Sequence, residues 1–131
     1  MIFEISYIEF REFIKEYSLI ESQDKIWIIS VIHNSRRLKY YRILNSQRIT
    51  IGIGSVREDG SISEVSFVIH PNFKYTGYGR GFTEFSKIAF SNPYFIVSKF
   101  NKFGLTFFRK LDLDYWCIDE SNDFIFKFPF K

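Results

Sequence analysis

The stretch FVIHPNFKYTGYGRGF, residues Phe67 to Phe82, decides how this sequence is interpreted. An extended apolar run ends at Pro71, three glycines follow at every second position from Gly77 to Gly81, and the pattern of an amphipathic helix starts at once. Amides at the start of a helix have no partner within the helix, and the helix dipole favours an anion beside them. Glycine lets a phosphate group approach the backbone closely. The segment therefore predicts a phosphate-binding loop, and the alternative is a glycine-rich turn without a ligand.

Two well-known phosphate-binding loops do not fit these glycines. A dinucleotide fingerprint needs Gly-x-Gly-x-x-Gly, whereas the spacing here is Gly-x-Gly-x-Gly. A nucleotide P-loop needs a Lys-Ser or Lys-Thr pair after its last glycine, and neither pair follows here. A phosphate group held by this loop would therefore belong to a different kind of ligand.

The composition is that of an ordinary globular chain, and we expect one domain over residues 1–131. Hydrophobic residues make up 46% and charged residues 25%, so there is material for a core. No apolar run approaches the roughly 20 residues that span a bilayer, so no membrane association is expected. The single cysteine excludes a disulfide framework and a cysteine-rich metal site. We therefore expect a cytoplasmic protein without a bound metal.

Basic residues cluster in one short stretch, although the net charge is only +3: Arg36, Arg37, Lys39, Arg42 and Arg48. The simpler interpretation is a solvated strand edge protected by its charges. The alternative is a surface for an anionic ligand or a nucleic acid.

Hydrophobic periodicity predicts a strand, a helix and an antiparallel meander in the first half of the chain. Residues 2–5 are predicted as a strand, and Ser6 with Glu9 has capping-box spacing for a first helix. The run DKIWIISVIHN fits either a helix or a strand. The strands KYYRIL, RITIGIGSV and SISEVSFVI follow, with turns at NSQ and REDG. In the second of them, Ile49, Ile51 and Ile53 alternate with small residues.

The second half of the chain is predicted to alternate helices and strands. A helix follows the glycine loop, and the strand YFIVSKF comes next. Asn101 is a candidate cap for a further helix whose apolar stripe is Phe103, Phe107 and Leu111. The final strands are YWCI and DFIFKF. The whole order, β-α-(α)-β-β-β-α-β-α-β-β, predicts a mixed α/β fold with helices on the faces of one sheet.

The glycine segment and the predicted helix after it resemble the two signatures of the GNAT superfamily of N-acetyltransferases. The acetyl-CoA signature usually has the form V-x-P-x-[YF]-[RQ]-x-x-G-x-[GA], and its places are filled in register by Ile69, Pro71, Phe73, Lys74, Gly77 and Gly79. The second signature looks like Asn101, Gly104, Phe107, Phe108 and Leu113. The resemblance implies the GNAT fold over nearly the whole chain. That fold is a mostly antiparallel mixed sheet of six to seven strands with about four helices, and its fourth and fifth strands splay apart.

The resemblance also implies that acetyl-CoA is the cofactor. In GNAT proteins the backbone amides of this loop hold the CoA pyrophosphate, which assigns that role here to Tyr75, Thr76, Gly77, Tyr78, Gly79 and Arg80. The end of the preceding strand, at Phe67, Val68 and Ile69, would pair with the pantetheine arm like an added strand. Asn101 would contact the arm or an ordered water beside it.

Two residues depart from the family pattern. Lys74 stands where Arg or Gln is usual, and it keeps a positive charge but lacks the planar guanidinium fork. Phe108 stands in the cofactor site where many active members have a tyrosine that protonates the departing thiolate. A thiol with a pKa near ~8.5 is already a fair leaving group, and Tyr75, Tyr78 or Ser98 are alternative hydroxyls.

Glu64 is the candidate catalytic base. Strand alternation places Glu64, Ser66 and Val68 on one face, and some GNAT enzymes carry a glutamate on this strand that deprotonates the attacking amine. The alternative is a solvent-facing glutamate.

The expected function is transfer of an acetyl group from acetyl-CoA to a primary amine within a ternary complex. The rival hypothesis is a catalytically silent GNAT fold that binds CoA, a protein or a nucleic acid. GNAT proteins are often dimers, and the C-terminal FIFKFPF is a candidate contact for a homodimer.

Overall fold

The computed structural model describes residues 1–16, 38–73, 77–118 and 123–129. In chain order the elements are β1 (Ile2–Ile5), α1 (Tyr7–Glu16), β2 (Leu38–Leu44), β3 (Thr50–Asp59), β4 (Ile62–Ile69), a 3-10 turn (Pro71–Phe73), α2 (Tyr78–Ala89), β5 (Pro93–Ser98), α3 (Lys102–Arg109), β6 (Asp114–Ile118) and β7 (Asp123–Lys127). The ambiguous run DKIWIISVIHN lies outside the described residues, as do Arg36 and Arg37 of the basic cluster.

One sheet of seven strands runs through the described chain in the order β1-β2-β3-β4-β5-β7-β6. Its neighbours are antiparallel except β4 and β5, which are parallel. The register joins β4 to β5 at two positions, Ser63 with Pro93 and Glu64 with Tyr94, and the two strands diverge beyond them. The mixed sheet and the predicted splay between the fourth and fifth strands are therefore confirmed.

The helix starts follow the predicted capping chemistry. The Glu9 amide donates to Ser6 Oγ at 3.1 Å, and the Ser6 amide donates to Glu9 Oε1 at 3.4 Å, which is the reciprocal capping box. The Gly104 amide donates to Asn101 Oδ1 at 2.9 Å at the start of α3. Both helices thus begin where the sequence places them.

The helices cover the two faces of the sheet separately. Phe10 of α1 packs with Tyr40, Ile53 and Val68 in what we call the α1-side cluster. Residues of α2 and α3 pack on the opposite face in a larger cluster, the α2/α3-side cluster, which contains Ile43, Ile51, Val65, Ile69, Phe82, Phe95, Leu105, Phe108 and Phe126. Helices α2 and α3 therefore lie on the face opposite α1.

The predicted turn REDG is wrong. β3 continues to Asp59, and the turn is the pair Gly60-Ser61, with Gly60 at φ 62°. Glycine accepts this left-handed conformation readily, so the hairpin closes there and Arg57 remains in the strand.

The alternation of Ile49, Ile51 and Ile53 is also broken. The pairing of β2 with β3 shifts between Ile43 and Leu44, which inserts one residue into β3. Ile51 therefore joins the α2/α3-side cluster while Ile53 joins the α1-side cluster, and Ile49 is 51% exposed.

The apolar stripe predicted for α3 does not form its buried face. The helix ends at Arg109, and its buried residues are Gly104, Leu105 and Phe108. Phe103, Phe107 and Leu111 instead border a cavity beside the helix. None of the helices in the described residues is long and apolar enough to cross a membrane.

Candidate active site

A cavity of about 540 Å³ opens between the end of β4, the start of α2 and α3. Most of the residues that the sequence assigned to a cofactor site border it: Phe67, Val68, Ile69, Gly77, Tyr78, Gly79, Arg80, Asn101 and Phe108. The assigned residues Lys74, Tyr75 and Thr76 lie outside the described residues. A volume of this size is within the range of small-molecule sites, and its walls are largely aromatic.

Among the described residues, the edge of β4 toward this cavity has no strand partner beyond Glu64. The His70 amide donates to the Ile51 carbonyl of β3 at 2.7 Å, whereas the Ser63 amide points the other way, to the Asn92 carbonyl at 3.4 Å. Backbone groups alternate along a strand, so those of Phe67 and Ile69 point into the gap where β4 and β5 diverge. An extended ligand arm could pair there as an added strand does.

The start of α2 supplies a second set of donors. Gly77 caps the helix at φ 90°, a left-handed conformation, and its carbonyl accepts the first helical hydrogen bond from the Gly81 amide at 3.0 Å. The amides of Tyr78, Gly79 and Arg80 precede that bond and therefore have no partner within the helix. Tyr78, Gly79 and Arg80 border the cavity, and free amides together with the helix dipole favour an anion at such a position.

Gly79 borders the cavity at a point where an added side chain would contact residues of α3 and β4. A Cβ at Gly79 would lie 3.1 Å from Phe107 Cζ and 3.4 Å from Phe67 Cε2. A larger side chain would thus enter the space between α2 and α3. Gly81, two residues along the same helix, has nothing within 4 Å of an added Cβ.

Asn101 has a structural role that occupies one of its polar atoms. Its Oδ1 accepts the Gly104 amide, and its backbone carbonyl accepts the Leu105 amide at 3.0 Å. No described residue accepts a hydrogen bond from Asn101 Nδ2, although the residue borders the cavity. The amide nitrogen is therefore the group of this side chain that a ligand could use.

Capping and ligand binding by Asn101 can be separated by mutation. Asn101→Asp keeps an oxygen for the Gly104 amide but loses the Nδ2 donor, so we expect unchanged stability and weaker binding of acetyl-CoA. Asn101→Ala removes the cap as well, and we expect it to cost about 1 kcal/mol of unfolding free energy. Urea unfolding and acetyl-CoA titration of both variants measure the two effects. If Asn101→Asp binds acetyl-CoA as tightly as the wild type, Asn101 caps α3 but does not bind the ligand.

Aromatic rings fill the inner end of the cavity. The Phe108 ring is 7% exposed and lies 5.0 Å from the rings of Phe107 and Phe95, 5.2 Å from Phe126 and 6.0 Å from Phe67, centroid to centroid. Phe95 and Phe126 are fully buried behind it. The inner end is therefore apolar, and position 108 contributes packing but no hydroxyl group.

Glu64 lies away from the cavity wall and is bound to another side chain. Its Oε2 is 3.0 Å from Arg57 Nη2, and the two residues face each other in the β3–β4 register. Its side chain is 25% exposed, so it is not simply solvent-facing. Phe67, where the cavity wall begins, is three residues further along β4, roughly 10 Å away.

Glu64 and the cavity lie on opposite faces of the sheet. Val65 and Ile69 belong to the α2/α3-side cluster and Val68 to the α1-side cluster, so strand alternation directs Glu64 and Ser66 to the α1 side. This confirms the predicted division of β4 between its two faces. The gap between β4 and β5 is the place where a ligand in the cavity could meet a ligand on the Glu64 side.

Two residues beside Glu64 were missed by sequence reasoning, Arg57 and Tyr94. Tyr94 pairs with Glu64 in the β4–β5 register, and burial, followed by the negative charge of Glu64, raises the pKa of its phenol. The signal for Arg57 was present, because a hairpin centred on Gly60-Ser61 pairs residues 57 and 64. The sequence carried no comparable signal for Tyr94, since a parallel register depends on the crossover between the strands.

The described members of the basic cluster do not form one patch. Lys39 is 3.3 Å from Glu58, and Arg42 lies over the Phe13 ring at 5.8 Å. Strand alternation puts Lys39 and Arg42 on opposite faces of β2. Lys39 and Arg42 therefore do not belong to one continuous basic surface.

Solved structures of acyl- and acetyltransferases share this architecture. A Klebsiella pneumoniae protein described as an acyl-CoA N-acyltransferase matches with a TM-score of 0.72 at 12% identity, over 98% of this chain and 96% of that one. A GNAT-family acetyltransferase of Staphylococcus aureus gives 0.66 at 12% identity, over 98% and 99% of the two chains. A variant of the Vibrio cholerae spermidine N-acetyltransferase gives 0.67 at 14% identity, over 98% and 94%. No protein-family model matches the sequence, and no curated protein matches it.

These likenesses define the class of fold, which is the one that these transferase structures share. More particularly, the chain has the GNAT fold, which confirms the prediction made from its two signatures. At such low identities the likeness concerns the fold, and the chemistry depends on the residues described above.

Proposed function

We propose that this protein is an N-acyltransferase that moves an acetyl group from acetyl-CoA to a primary amine. The observation that carries the proposal is one continuous cavity. It is bordered by the first residues of α2, by the end of β4 from Phe67 to Ile69, and by α3.

The chain's own groups suit the parts of CoA in order. The amides of Tyr78, Gly79 and Arg80, with the neighbouring Lys74, Tyr75 and Thr76 of the signature, would hold the pyrophosphate. The backbone of Phe67 to Ile69 would pair with the amide groups of the pantetheine arm. The aromatic walls of the cavity would bury its methylene groups.

Acetyl-CoA supplies an activated thioester when it is bound. Glu64, directly or through a water molecule, accepts a proton from the amine as the amine attacks. Of the two amides that point into the gap, that of Phe67 is nearer Glu64 and would polarise the thioester carbonyl, which leaves that of Ile69 for the pantetheine arm. Holding both substrates at one opening removes most of the entropy cost of their encounter.

The identity of the amine is best approached from the structural relatives. One of them is a spermidine N-acetyltransferase, so polyamines come first in a panel that also includes aminosugars, amino acids and peptides. The test is release of free CoA thiol from acetyl-CoA in the presence of each amine. Release that depends on the amine supports the proposal, and its absence over the whole panel contradicts it.

The rival function is a GNAT fold that binds CoA without transferring the acetyl group. It is favoured by the phenylalanine at position 108, which leaves no hydroxyl at the usual general-acid position, and by the ion pair that engages Glu64. Binding of acetyl-CoA without amine-dependent release of thiol would establish this alternative.

A further inference from the structure

We propose that Phe108 limits the length of the acyl group that this protein accepts, so that acetyl-CoA fits and CoA thioesters with longer chains do not. This inference rests on the proposed use of acetyl-CoA. It gives a role in substrate selection to a side chain that borders the cavity and has no hydroxyl group.

The acyl end of a bound CoA thioester would point toward the closed end of the gap between β4 and β5. β4 ends at Ile69, and the start of α2, where the pyrophosphate is proposed to bind, follows after one 3-10 turn. From that side the arm pairs first with Ile69 and then, at the thioester carbonyl, with Phe67. The acyl group beyond the carbonyl extends toward the level of Val65, next to the last pair of the parallel register, Glu64 with Tyr94.

Buried apolar side chains wall this end of the gap on the cavity face. Val65 and Phe95 directly follow the last pair of the register, belong to the α2/α3-side cluster and are each 1% exposed. The Phe108 ring lies 5.0 Å from the Phe95 ring and 6.0 Å from the Phe67 ring, centroid to centroid. Phe67 and Phe108 border the cavity, and Phe95 lies behind Phe108. Phe108 is therefore the side chain that separates the cavity from this wall.

The packing around Phe108 leaves its ring no free space to move into. The ring also lies 5.0 Å from Phe107 and 5.2 Å from Phe126, and Phe126 is 0% exposed. A core packed in this way does not accept additional methylene groups without strain. A longer acyl chain would have to displace the ring or turn through the gap toward the Glu64 side, where the amine must approach.

Removal of the ring would open a space of suitable size. Phe108→Ala removes more carbon atoms than the butyl extension that distinguishes hexanoyl-CoA from acetyl-CoA. A space enclosed by apolar side chains stays dry and binds apolar groups. Each methylene group buried there strengthens binding about fourfold. We therefore expect Phe108→Ala to accept the hexanoyl chain.

The experiment is isothermal titration of free CoA, acetyl-CoA and hexanoyl-CoA into the wild type and Phe108→Ala. In the wild type, the Kd of hexanoyl-CoA should be at least about tenfold higher than that of acetyl-CoA. In Phe108→Ala, the Kd of hexanoyl-CoA should fall at least about tenfold below its wild-type value, while that of acetyl-CoA changes by less than about threefold. Binding is measured without an amine, so the result does not depend on identifying the acceptor.

Phe90→Ala is the matched control. Phe90 is 7% exposed, as is Phe108, and belongs to the same cluster, where its ring lies 5.6 Å from the rings of Tyr41 and Phe85. Its truncation should loosen the core to a similar extent and keep the wild-type preference for acetyl-CoA. If far-UV circular dichroism shows that Phe108→Ala is unfolded, Phe108→Leu takes its place and should bind hexanoyl-CoA more tightly than the wild type does.

Each contrary result bears on a defined part of the account. A wild type that binds hexanoyl-CoA as tightly as acetyl-CoA, or a folded Phe108 variant that keeps the wild-type preference, overturns the role of Phe108 and leaves acetyl transfer intact. An equal gain for hexanoyl-CoA in Phe90→Ala overturns it as well, because loosened packing would then admit the chain. A wild type that binds neither free CoA nor either thioester refutes the proposed function itself.

Discussion

Phe82→Ala is expected to reduce the free energy of unfolding by about 3–5 kcal/mol, the usual cost of deleting a buried phenyl ring. Phe82 is 0% exposed. Its ring lies 5.1 Å from Phe67, 5.9 Å from Phe85 and 6.3 Å from Tyr41. It also fills the space above Gly54, where an added Cβ would be 2.6 Å from Phe82 Cζ. Phe82 is therefore a central contact between α2 and the sheet.

Urea unfolding followed by circular dichroism measures this loss. The matched control is Phe100→Ala, because Phe100 is 69% exposed and its truncation should change the unfolding free energy by less than about 0.5 kcal/mol. Similar losses in the two variants would show that α2 does not pack as described.

Glu64→Gln is expected to lower kcat by about 10²–10⁴-fold, the range for removal of a general base. Glutamine has nearly the same shape and still accepts a hydrogen bond from Arg57, but it does not take a proton from the amine. The affinity for acetyl-CoA should be unchanged, because Glu64 does not border the cavity.

Glu58→Gln is the control for this prediction. Glu58 is on the neighbouring strand, pairs with Lys39 at 3.3 Å, and alternation places it on the face opposite Glu64. Steady-state kinetics with the preferred amine should show wild-type kcat for Glu58→Gln. An equal loss in both variants, or none in Glu64→Gln, would exclude Glu64 as the base.

The order of elements and the glycine loop could be predicted because their signals are local. Capping at Ser6 and Asn101 depends on residues three positions apart, and the periodicity of α2 depends on one turn of helix. The resemblance of the two motifs to the GNAT signatures then predicted how the strands are arranged in the sheet. The structure confirms the mixed sheet, the splay and the division of β4 between two faces.

Features that depend on register could not be predicted in the same way. The turn placed at REDG removed Arg57 from β3, and so the partner of Glu64 was missed. The extra residue in β3 near Ile51 moves the side chains that follow it to the opposite face of the sheet. An alternating run of isoleucines gives no sign of such an insertion. The buried face of α3 is set by where β5 and β7 lie. This is why the stripe containing Phe103 and Phe107 borders the cavity and Leu105 is buried instead.

The central claim is that the cavity beside the glycine loop binds acetyl-CoA, and isothermal titration of acetyl-CoA into two matched glycine variants tests it most directly. Gly79→Val would push a side chain against Phe107 and narrow the cavity. The added methyl group of Gly81→Ala would contact no other residue. Because it replaces a helical glycine, Gly81→Ala should increase the free energy of unfolding by about 0.5–1 kcal/mol.

We predict that acetyl-CoA binds the wild type and Gly81→Ala with similar Kd and that Gly79→Val weakens binding at least about tenfold while it remains folded. Absence of binding of both acetyl-CoA and free CoA to the wild type, or equal binding by all three proteins, would contradict the assignment of this cavity.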